Sequence, residues 1–176
     1  MRFIVVGTSG SGKSTFAMAL AKRLQARRIE LDALHWLPNW VERDASEFRS
    51  LVAKATEGER WVVDGNYSVA RDVLWPKATD IVWLNFSRTT VFSRIFIRTL
   101  RRCLTKEKLW AGNTESLRKA FFSRKSILLW TLSTYGKNKK KYARLREDAA
   151  FAHLRWHELR SNKDAERLLL TTNSDA

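Results

Sequence analysis

Nine consecutive residues, 7–15, have the sequence GTSGSGKST and match the spacing G-x-x-x-x-G-K-[ST]. Glycines in such a loop allow backbone angles at which several amide N–H groups converge on one anion. The lysine and the hydroxyl that follows it suit the terminal phosphates of a nucleotide and a magnesium ion. The pattern therefore predicts a phosphate-binding loop, made of Gly7, Thr8, Ser9, Gly10, Ser11, Gly12, Lys13, Ser14 and Thr15.

The residues on either side of this loop favour ATP and Mg²⁺ as its ligands over a chance glycine-rich turn. The apolar run 2–6 is typical of a strand buried on both faces, and an amphipathic helical pattern starts at Lys13. A helix that starts there adds the positive end of its dipole to the anion site. We expect Lys13 to reach the β- and γ-phosphates and Ser14 to offer its hydroxyl to Mg²⁺, with Thr15 assisting.

Two aspartates follow hydrophobic runs that are predicted to be strands. Asp32 ends the second run, in LDALHWLPNW, and Asp64 ends the third, in VVDGNY. In a parallel sheet both would face the crevice beside the loop, where a carboxylate can hold Mg²⁺ through water or accept a proton from a hydroxyl. Either could instead only cap the turn or helix after it. Asp64, on the more hydrophobic strand, is predicted to be the metal-side carboxylate together with Ser14.

Two further residues close to Asp32 are candidates for an acceptor pocket. His35 and Trp36 follow it in LDALHW, although packing in the core is the alternative role for both. The sequence shows no His/Cys cluster typical of zinc and no Ser/His/Asp arrangement. The predicted chemistry therefore depends on the loop, the two carboxylates and basic side chains.

A basic helix is predicted directly after the fourth strand. In RIFIRTLRR, residues 94–102, four arginines fall within a sector of about 100° on a helical wheel. The broadly opposite side holds the residues expected to pack, which are Phe92, Ile95, Phe96, Thr99, Leu100 and Cys103. We expect Arg94 and Arg98 to close on the transferred phosphoryl group, because guanidinium groups neutralise the charge of its transition state. Arg101 and Arg102 could instead form a solvated face.

The net charge of +15 comes from one segment of the 176-residue chain: residues 88–146 hold 17 of 33 basic and 2 of 18 acidic residues. Such a field attracts nucleotide phosphates, nucleic acid or an acidic membrane. The longest uncharged, mostly apolar run, 126–136, is too short to cross a bilayer, and no targeting segment is visible. With Cys103 as the single cysteine, we expect a reducing cytoplasmic location and no membrane anchor.

The order of the predicted elements favours an α/β fold. Five runs are predicted strands, at 2–6, 26–32, 60–64, 80–86 and 153–159, and helical patterns cover 13–27, 44–57 and 163–170. Asp44 with Glu47 predicts a capping box, and Asn162 is the predicted cap of the last helix. Strands separated by helices favour a parallel sheet covered on both faces. We expect one domain, 1–176, with 88–148 as a basic helical insert.

The loop, the strand end DGNY, the basic insert and the final strand and helix resemble the nucleoside-monophosphate-kinase branch of the P-loop kinases. The chain is similar in particular to adenylate-kinase-like proteins often labelled "DNA topology modulation protein". The similarity lies in LDALHWLPNW, RWVVDGNYS, LWAGNTESLRKAFFSRKSILLW and FAHLR, and it covers nearly the whole chain. It implies a three-layer P-loop NTPase fold, a five-stranded parallel sheet in the order 2-3-1-4-5, and ATP with Mg²⁺ opposite an acceptor site.

The resemblance also implies roles for single residues. The turn that meets acceptor and Mg²⁺ in adenylate kinases matches Asp64, Gly65, Asn66 and Tyr67, without the Pro-Arg of that turn. The lid arginines match, approximately, Arg94, Arg98, Arg118 and Arg124. The loop that usually touches adenine matches Arg160, Ser161 and Asn162. Because the Pro-Arg is missing, the resemblance does not identify the acceptor as AMP.

Three functions are compatible with these patterns. The first is an ATP-dependent phosphotransferase that acts on a small molecule such as a nucleotide or nucleoside. The second is an ATP-binding protein associated with nucleic acid, and the third is an NTPase with water as acceptor. The first is favoured because Asp32, Asp64 and the arginines fit one crevice, whereas a nucleic-acid clamp needs its charges spread over an exposed surface.

Overall fold

Five parallel strands form the central sheet of the computed structural model, which describes residues 1–114 and 127–172. The described residues contain seven strands, of which β3 and β4 lie outside this sheet: β1 (Arg2–Gly7), β2 (Arg27–Glu30), β3 (Trp36–Leu37), β4 (Val41–Glu42), β5 (Trp61–Asp64), β6 (Asp80–Leu84) and β7 (Arg155–Leu159). The order across the sheet is β2-β5-β1-β6-β7, with every pair parallel. The predicted α/β fold and strand order are confirmed, and β3 and β4 form an additional antiparallel hairpin.

The sheet is buried on both faces, as the continuous apolar runs predicted. Successive side chains of β1 enter opposite hydrophobic layers: Ile4 and Val6 pack on one face, and Phe3 and Val5 on the other. This alternation follows from the two-residue period of a strand. Because both layers are filled, the carboxyl ends of the strands are the edge at which polar side chains can meet a ligand.

Helices cover both faces of the sheet. Within the described residues they are α1 (Lys13–Arg23), α2 (Leu31–His35), α3 (Ala45–Ala55), α4 (Arg71–Leu74), α5 (Arg88–Thr105), α6 (Ile127–Glu147) and α7 (Asn162–Thr171). In the part of the chain that the structure describes, no helix is both long and apolar enough to cross a membrane. The helices α5 and α6 lie within the basic segment that the sequence predicted to be helical.

One predicted helix cap is confirmed without its capping box, and another is wrong. Asp44 does cap α3, since its carboxylate accepts from the amides of Ser46 and Glu47 at 2.8 and 3.3 Å. Glu47, however, pairs with Arg43 rather than completing a capping box. The helix α7 is capped by Ser161 and not by Asn162, because Asp164 supplies the returning carboxylate of a full capping box three residues after Ser161.

The segment after β2 folds differently from the prediction. The strand ends at Glu30, opposite Asp64 in the register with β5, and Leu31–His35 form the short helix α2. Asp32 therefore lies in the first turn of a helix and not at the end of a strand. The ladder stops at Glu30 because β5, its partner in the sheet, ends at Asp64.

The helix α5 packs directly against the phosphate-binding loop. Gly10 has a φ of +84°, and a Cβ there would lie 2.7 Å from the carbonyl oxygen of Val91 and 2.9 Å from the Cβ of Ile95. Ile95 is buried as predicted, whereas Phe96, which was expected to pack, is 42% exposed. Leu100 is likewise 37% exposed. The difference arises because α5 packs against the loop through only a narrow part of its surface. The arginines of α5 lie next to this part and therefore beside the loop.

Candidate functional site

A large cleft lies at the carboxyl ends of the strands, where the topology predicts a ligand site. Its volume of about 2360 Å³ exceeds the 300–1,000 Å³ of a typical single-ligand pocket, so the space suits two substrates. The phosphate-binding loop forms its floor. The arginines of α5 line one wall, and aromatic residues from α2, the β3–β4 hairpin and the segment after α5 line the other.

The loop holds the ammonium group of Lys13 among its own carbonyl oxygens. The Nζ atom donates to the carbonyl of Gly7 at 2.9 Å and to that of Thr8 at 3.3 Å. Burial, opposed by the carboxylates of Asp32 and Asp64 and assisted by Arg98, lowers the pKa of Lys13 to about 8. The charge of Lys13 is therefore poorly solvated, and an anion bound in the loop would stabilise it.

Asp64 and Ser14 lie together at the edge of the loop. The Ser14 hydroxyl donates to Oδ1 of Asp64 at 3.2 Å, and Nη2 of Arg28 lies 3.3 Å from Oδ2. Asp64 is 3% exposed, and its burial raises the pKa of the carboxyl, with Glu30 in the same direction and Arg28 and Lys13 opposing. A hard dication would restore the favourable energy that this carboxylate loses by burial.

The oxygen atoms of Ser14 and Asp64 fit Mg²⁺, which prefers hard oxygen ligands and takes only one or two from protein side chains. Among the described residues, no group of three or more His, Cys, Asp or Glu side chains could form a closed metal cage. A magnesium ion here would therefore share its coordination with phosphate oxygens and water, as the sequence pattern predicted.

Asp32 faces the same cleft from α2. The Tyr67 hydroxyl donates to its Oδ1 at 2.6 Å, and burial, followed by the neighbouring charge of Asp32, raises the pKa of Tyr67 well above its ordinary value. Both residues line the cleft, and Asp32 is near enough to Lys13 to raise its pKa. Tyr67 therefore fixes one oxygen of a carboxylate that lies beside the phosphate-binding loop.

His35 combines the two roles that the sequence left open. Its ring centroid lies 4.8 Å from that of Trp36, 5.2 Å from that of Phe48 and 4.5 Å from that of Tyr67. It also lines the cleft, together with Trp36. Burial lowers the pKa of His35, so the ring is neutral at pH 7 and contributes an aromatic surface rather than a charge.

The turn after Asp64 ties two strands together. The side-chain amide of Asn66 donates through Nδ2 to the Gly7 carbonyl at 2.5 Å and accepts through Oδ1 from the backbone N–H of Gly7 at 3.3 Å. Tyr142 of α6 donates to the same amide oxygen at 2.9 Å. Gly65 has a φ of +146°, and a Cβ there would lie 2.7 Å from the Cβ of Leu31. Asn66 therefore positions the start of the phosphate-binding loop, and Gly65 permits the close approach of α2.

The arginines of α5 reach into the cleft. Arg94 donates to the carbonyl of Ser11 at 3.1 Å and to Oδ1 of Asn162 at 2.6 Å, and its guanidinium lies 4.7 Å from the centroid of the Phe86 ring. Arg98, Arg101 and Arg102 line the same wall, and the last two also pair with Glu107. All four therefore lie on the cleft rather than on an outward helix face.

The loop before α7 matches the sequence expectation in part. Asn162 lines the cleft beside Arg94. Arg160 instead pairs with Glu158 at 2.8 Å, and Ser161 is occupied as the N-cap of α7. Neither residue is among those that line the cleft, because the capping box turns both away from it. Arg118 and Arg124, the other predicted substrate residues, lie outside the described residues.

Several residues in or next to the site were missed by reasoning from the sequence. Arg28 pairs with both Glu30 and Asp64. Trp40 and Trp110 line the aromatic wall with Glu42. The sequence indicated a special role for the tryptophans only by their number, eight in 176 residues. That number does not predict which of them lie outside the hydrophobic core.

Comparison with known proteins identifies the fold. Residues 3–69, which include β1, the loop and β5, match the model of the ATPase family associated with various cellular activities (AAA). The uncharacterized protein YqaC of Bacillus subtilis (strain 168) is 36% identical over 63 residues, which are 35% of this chain and 35% of that protein. This chain therefore matches about a third of the length of that relative.

Solved structures of small-molecule kinases share the fold over almost all of both chains. A shikimate kinase from Bacteroides thetaiotaomicron has a TM-score of 0.58 at 14% identity, with 96% of each chain covered. A sugar kinase from Janibacter sp. HTCC2649 has a TM-score of 0.51 at 21% identity, with 97% of this chain and 93% of that chain covered. A gluconokinase from Sinorhizobium meliloti 1021 has a TM-score of 0.52 at 19% identity, with 96% of this chain and 91% of that chain covered. The chain has the P-loop NTPase fold in the form found in these kinases.

Proposed function

We propose that the protein is an ATP-dependent phosphotransferase that moves the γ-phosphoryl group of ATP to a hydroxyl of a small molecule. The observation that carries this proposal is the position of Asp32 beside Lys13, with Asp64 and Ser14 joined at the same loop. A nucleotide-hydrolysing switch needs the loop, Lys13 and one metal-side carboxylate. A kinase needs a second carboxylate for the acceptor, and Asp32 fills this role.

The residues of the cleft divide the reaction between them. The acceptor oxygen attacks the γ-phosphorus while the bond from that phosphorus to the β-phosphate oxygen of ADP breaks, and Asp32 accepts the hydroxyl proton. Lys13 and the loop amides hold the phosphate oxygens, and Arg94 and Arg98 balance the negative charge that spreads over them. Ser14 and Asp64 would hold Mg²⁺, which when bound supplies further neutralisation of phosphate charge.

The nucleotide base has a separate surface in this proposal. Phe86, Arg94 and Asn162 meet on the side of the cleft next to α7. The Asn162 side-chain amide, next to the Arg94 guanidinium that covers the Phe86 ring, suits the polar edge of a nucleobase. Asn162 is the member of the predicted adenine loop that supports this assignment.

Two observations favour a small hydroxyl compound over nucleic acid as the second substrate. The four described arginines of RIFIRTLRR line a concave cleft, whereas a polynucleotide needs an exposed basic track. The kinases with a similar fold act on a sugar, on gluconate and on shikimate according to their descriptions. The adenylate-kinase-like branch, supported by the DGNY turn, and the association with DNA topology stay predictions.

An ATP-consumption screen over sugars, nucleosides, nucleotides and small hydroxy acids tests the proposal. We expect one class of hydroxyl compound to raise ADP formation well above the rate without acceptor, with a phosphorylated product. Lys13→Ala should reduce that rate on the order of 10³-fold while circular dichroism stays unchanged, because the loss is of transition-state charge stabilisation. Unchanged turnover in the variant, or equal turnover with and without every acceptor, would contradict the kinase assignment.

A further inference from the structure

Three of the tryptophans form an open corner in the cleft. Trp36 and Trp40 have ring centroids 5.5 Å apart at an angle of 80°, and Trp40 and Trp110 are 6.5 Å apart at 78°. All three line the cleft, and none is part of the hydrophobic core clusters found among the described residues. Trp61, by contrast, is 1% exposed in the core. These nearly perpendicular, half-buried rings line the cleft instead of filling the interior.

A buried asparagine holds this corner in shape. Asn39 and Trp40 both have positive φ values, +63° and +59°, which are costly for residues other than glycine. The backbone N–H of Trp40 donates to Oδ1 of Asn113 at 3.0 Å, and Nδ2 of Asn113 donates to the Leu37 carbonyl at 2.9 Å. Asn113 is 6% exposed. The strained backbone is thus secured by a residue more than 70 positions away.

Two indole N–H groups of the corner also donate hydrogen bonds. Nε1 of Trp110 donates to Glu30 at 2.8 Å, and Nε1 of Trp40 donates to the carbonyl of Thr114 at 3.2 Å. With their polar edges bound in this way, the rings keep one orientation and offer a preformed apolar surface.

The charge on this wall is negative. Glu42 pairs with Trp36 across the β3–β4 hairpin, which places both side chains on one face, and Glu42 and Asp32 line the cleft. Arg43 is engaged by Glu47 and by the carbonyl of Leu34. Within the described residues, the basic side chains that line the cleft all come from the loop and α5, and they are Lys13, Arg94, Arg98, Arg101 and Arg102.

Aromatic faces beside carboxylates attract a cation, because the ring quadrupole presents negative charge at its face. An anionic acceptor would be repelled by Glu42 and Asp32, and a neutral one would gain no attraction from them. We infer that the corner of Trp36, Trp40 and Trp110 with Glu42 binds a protonated or quaternary amine. This inference rests on the proposed function, and it makes the acceptor an amino alcohol or amino sugar whose hydroxyl faces Asp32.

Binding of tetramethylammonium chloride, measured by calorimetry against matched sodium chloride, tests the corner without any reaction. We expect the cation to bind and the neutral analogue tert-butanol not to bind. The affinity should fall about ten-fold in Trp40→Leu and in Glu42→Gln, the scale of a partly desolvated cation–π contact or charge pair. Glu57→Gln, which removes one exposed carboxylate outside the cleft, should bind as the parent does.

Two results would overturn the inference. One is binding of tetramethylammonium no tighter than that of tert-butanol. The other is unchanged affinity in Glu42→Gln, a surface variant that removes no packing and therefore remains informative if Trp40→Leu fails to fold.

Turnover separates this inference from the proposed function. Choline and its uncharged isostere 3,3-dimethyl-1-butanol, and glucosamine and glucose, are compared as acceptors at saturating ATP. We expect the amine of a pair to have a kcat/KM at least about ten-fold higher, with the preference reduced in Glu42→Gln. Turnover of neutral acceptors without cation binding would overturn the inference and leave the kinase in place. Cation binding without stimulation of ATP consumption by any hydroxyl compound would overturn the kinase and leave the cation site.

Discussion

Two buried aspartates at opposite ends of the sheet have pKa values that are shifted in opposite directions. Asp64 ends β5 at the cleft and is 3% exposed, and Asp80 begins β6 at the other edge and is 1% exposed. Both have an arginine within 3.3 Å. Yet the pKa of Asp64 is raised from its ordinary value, and that of Asp80 is lowered.

The difference lies in the number of donors that each carboxylate has. Burial alone would raise the pKa of Asp80, but hydrogen bonds from His157 at 2.8 Å, Thr79 at 2.7 Å and Arg155 at 3.0 Å together outweigh it. Among the described residues, Asp64 accepts only from Ser14 and Arg28, at 3.2 and 3.3 Å, and Arg28 is shared with Glu30. Burial therefore dominates at Asp64.

This contrast distinguishes a carboxylate that holds the fold together from one with capacity for a ligand. A fully bonded buried carboxylate stabilises the native state, whereas an incompletely bonded one costs stability until another cation arrives. The position of Asp64 at the phosphate-binding loop agrees with the second role. Perturbed titration in a cleft is a typical mark of a functional site, and here the matched residue at the far edge serves as the internal reference.

Between the two aspartates, the larger effect on turnover is expected from Asp64→Asn. Loss of the metal-side charge should reduce acceptor-dependent ATP turnover on the order of 10²-fold or more. The free energy of unfolding should stay equal or rise slightly, because a poorly compensated buried charge is removed and Arg28 keeps Glu30. Steady-state kinetics and urea denaturation measure the two effects. A variant that keeps its turnover, or loses it only by unfolding, would remove the distinction between the two aspartates.

Asp80→Asn should have the reverse effect. Three hydrogen bonds to a buried carboxylate weaken at once, so the free energy of unfolding should fall by about 2–4 kcal/mol. ATP turnover per folded molecule should be unchanged, since Asp80 lies at the opposite edge of the sheet from the cleft. Asp72→Asn, which removes an exposed partner of Arg49, is the matched control and should change stability much less. Equal stability of the Asp80 and Asp72 variants would show that the buried network is not structural.

The smallest effect is a change in the pH dependence of stability. The pKa of Asp80 is lowered by folding, so its stabilisation is present above the ordinary aspartate pKa of 3.8 and is lost as the pH falls through the folded-state value. Asp64, with a raised pKa, is destabilising once it ionises, and this cost disappears as the pH falls through its folded-state value.

Urea denaturation between pH 3 and 7 measures these two contributions separately. The stability advantage of the parent over Asp80→Asn should shrink on acidification. The lower stability of the parent relative to Asp64→Asn should shrink as well. The free energy of unfolding of the parent minus that of the variant is therefore positive for Asp80→Asn and negative for Asp64→Asn at neutral pH, and both differences become smaller in acid. If both differences have the same sign at neutral pH, the two carboxylates are not opposed in the way that their hydrogen bonds indicate.

Features that depend on neighbouring residues were predictable from the sequence. The nine residues of the phosphate-binding loop, the apolar strands and the helix that starts at Lys13 are contiguous, and their spacing alone specifies backbone angles, burial and the dipole of the helix. The parallel sheet followed from the alternation of strands and helices. The Asp44 cap was likewise local, since its acceptors lie two and three residues further along.

Features that join distant segments were decided by the tertiary structure alone. Asp32 moved onto a short helix because β2 could extend only as far as its partner β5. The corner of Trp36, Trp40 and Trp110 exists only because Asn113 reaches back to the hairpin.

The sequence by itself therefore predicted the anion chemistry that we propose for this protein, because a phosphate loop is built from consecutive amides and one lysine. Which carboxylate is satisfied and which is not depended on donors brought together across strands, more than 70 residues apart in the case of Asp80 and His157. The acceptor wall depended likewise on contacts between segments 30–42 and 110–114. Long-range contacts of this kind have no local spacing rule, since any polar or aromatic side chain could supply them.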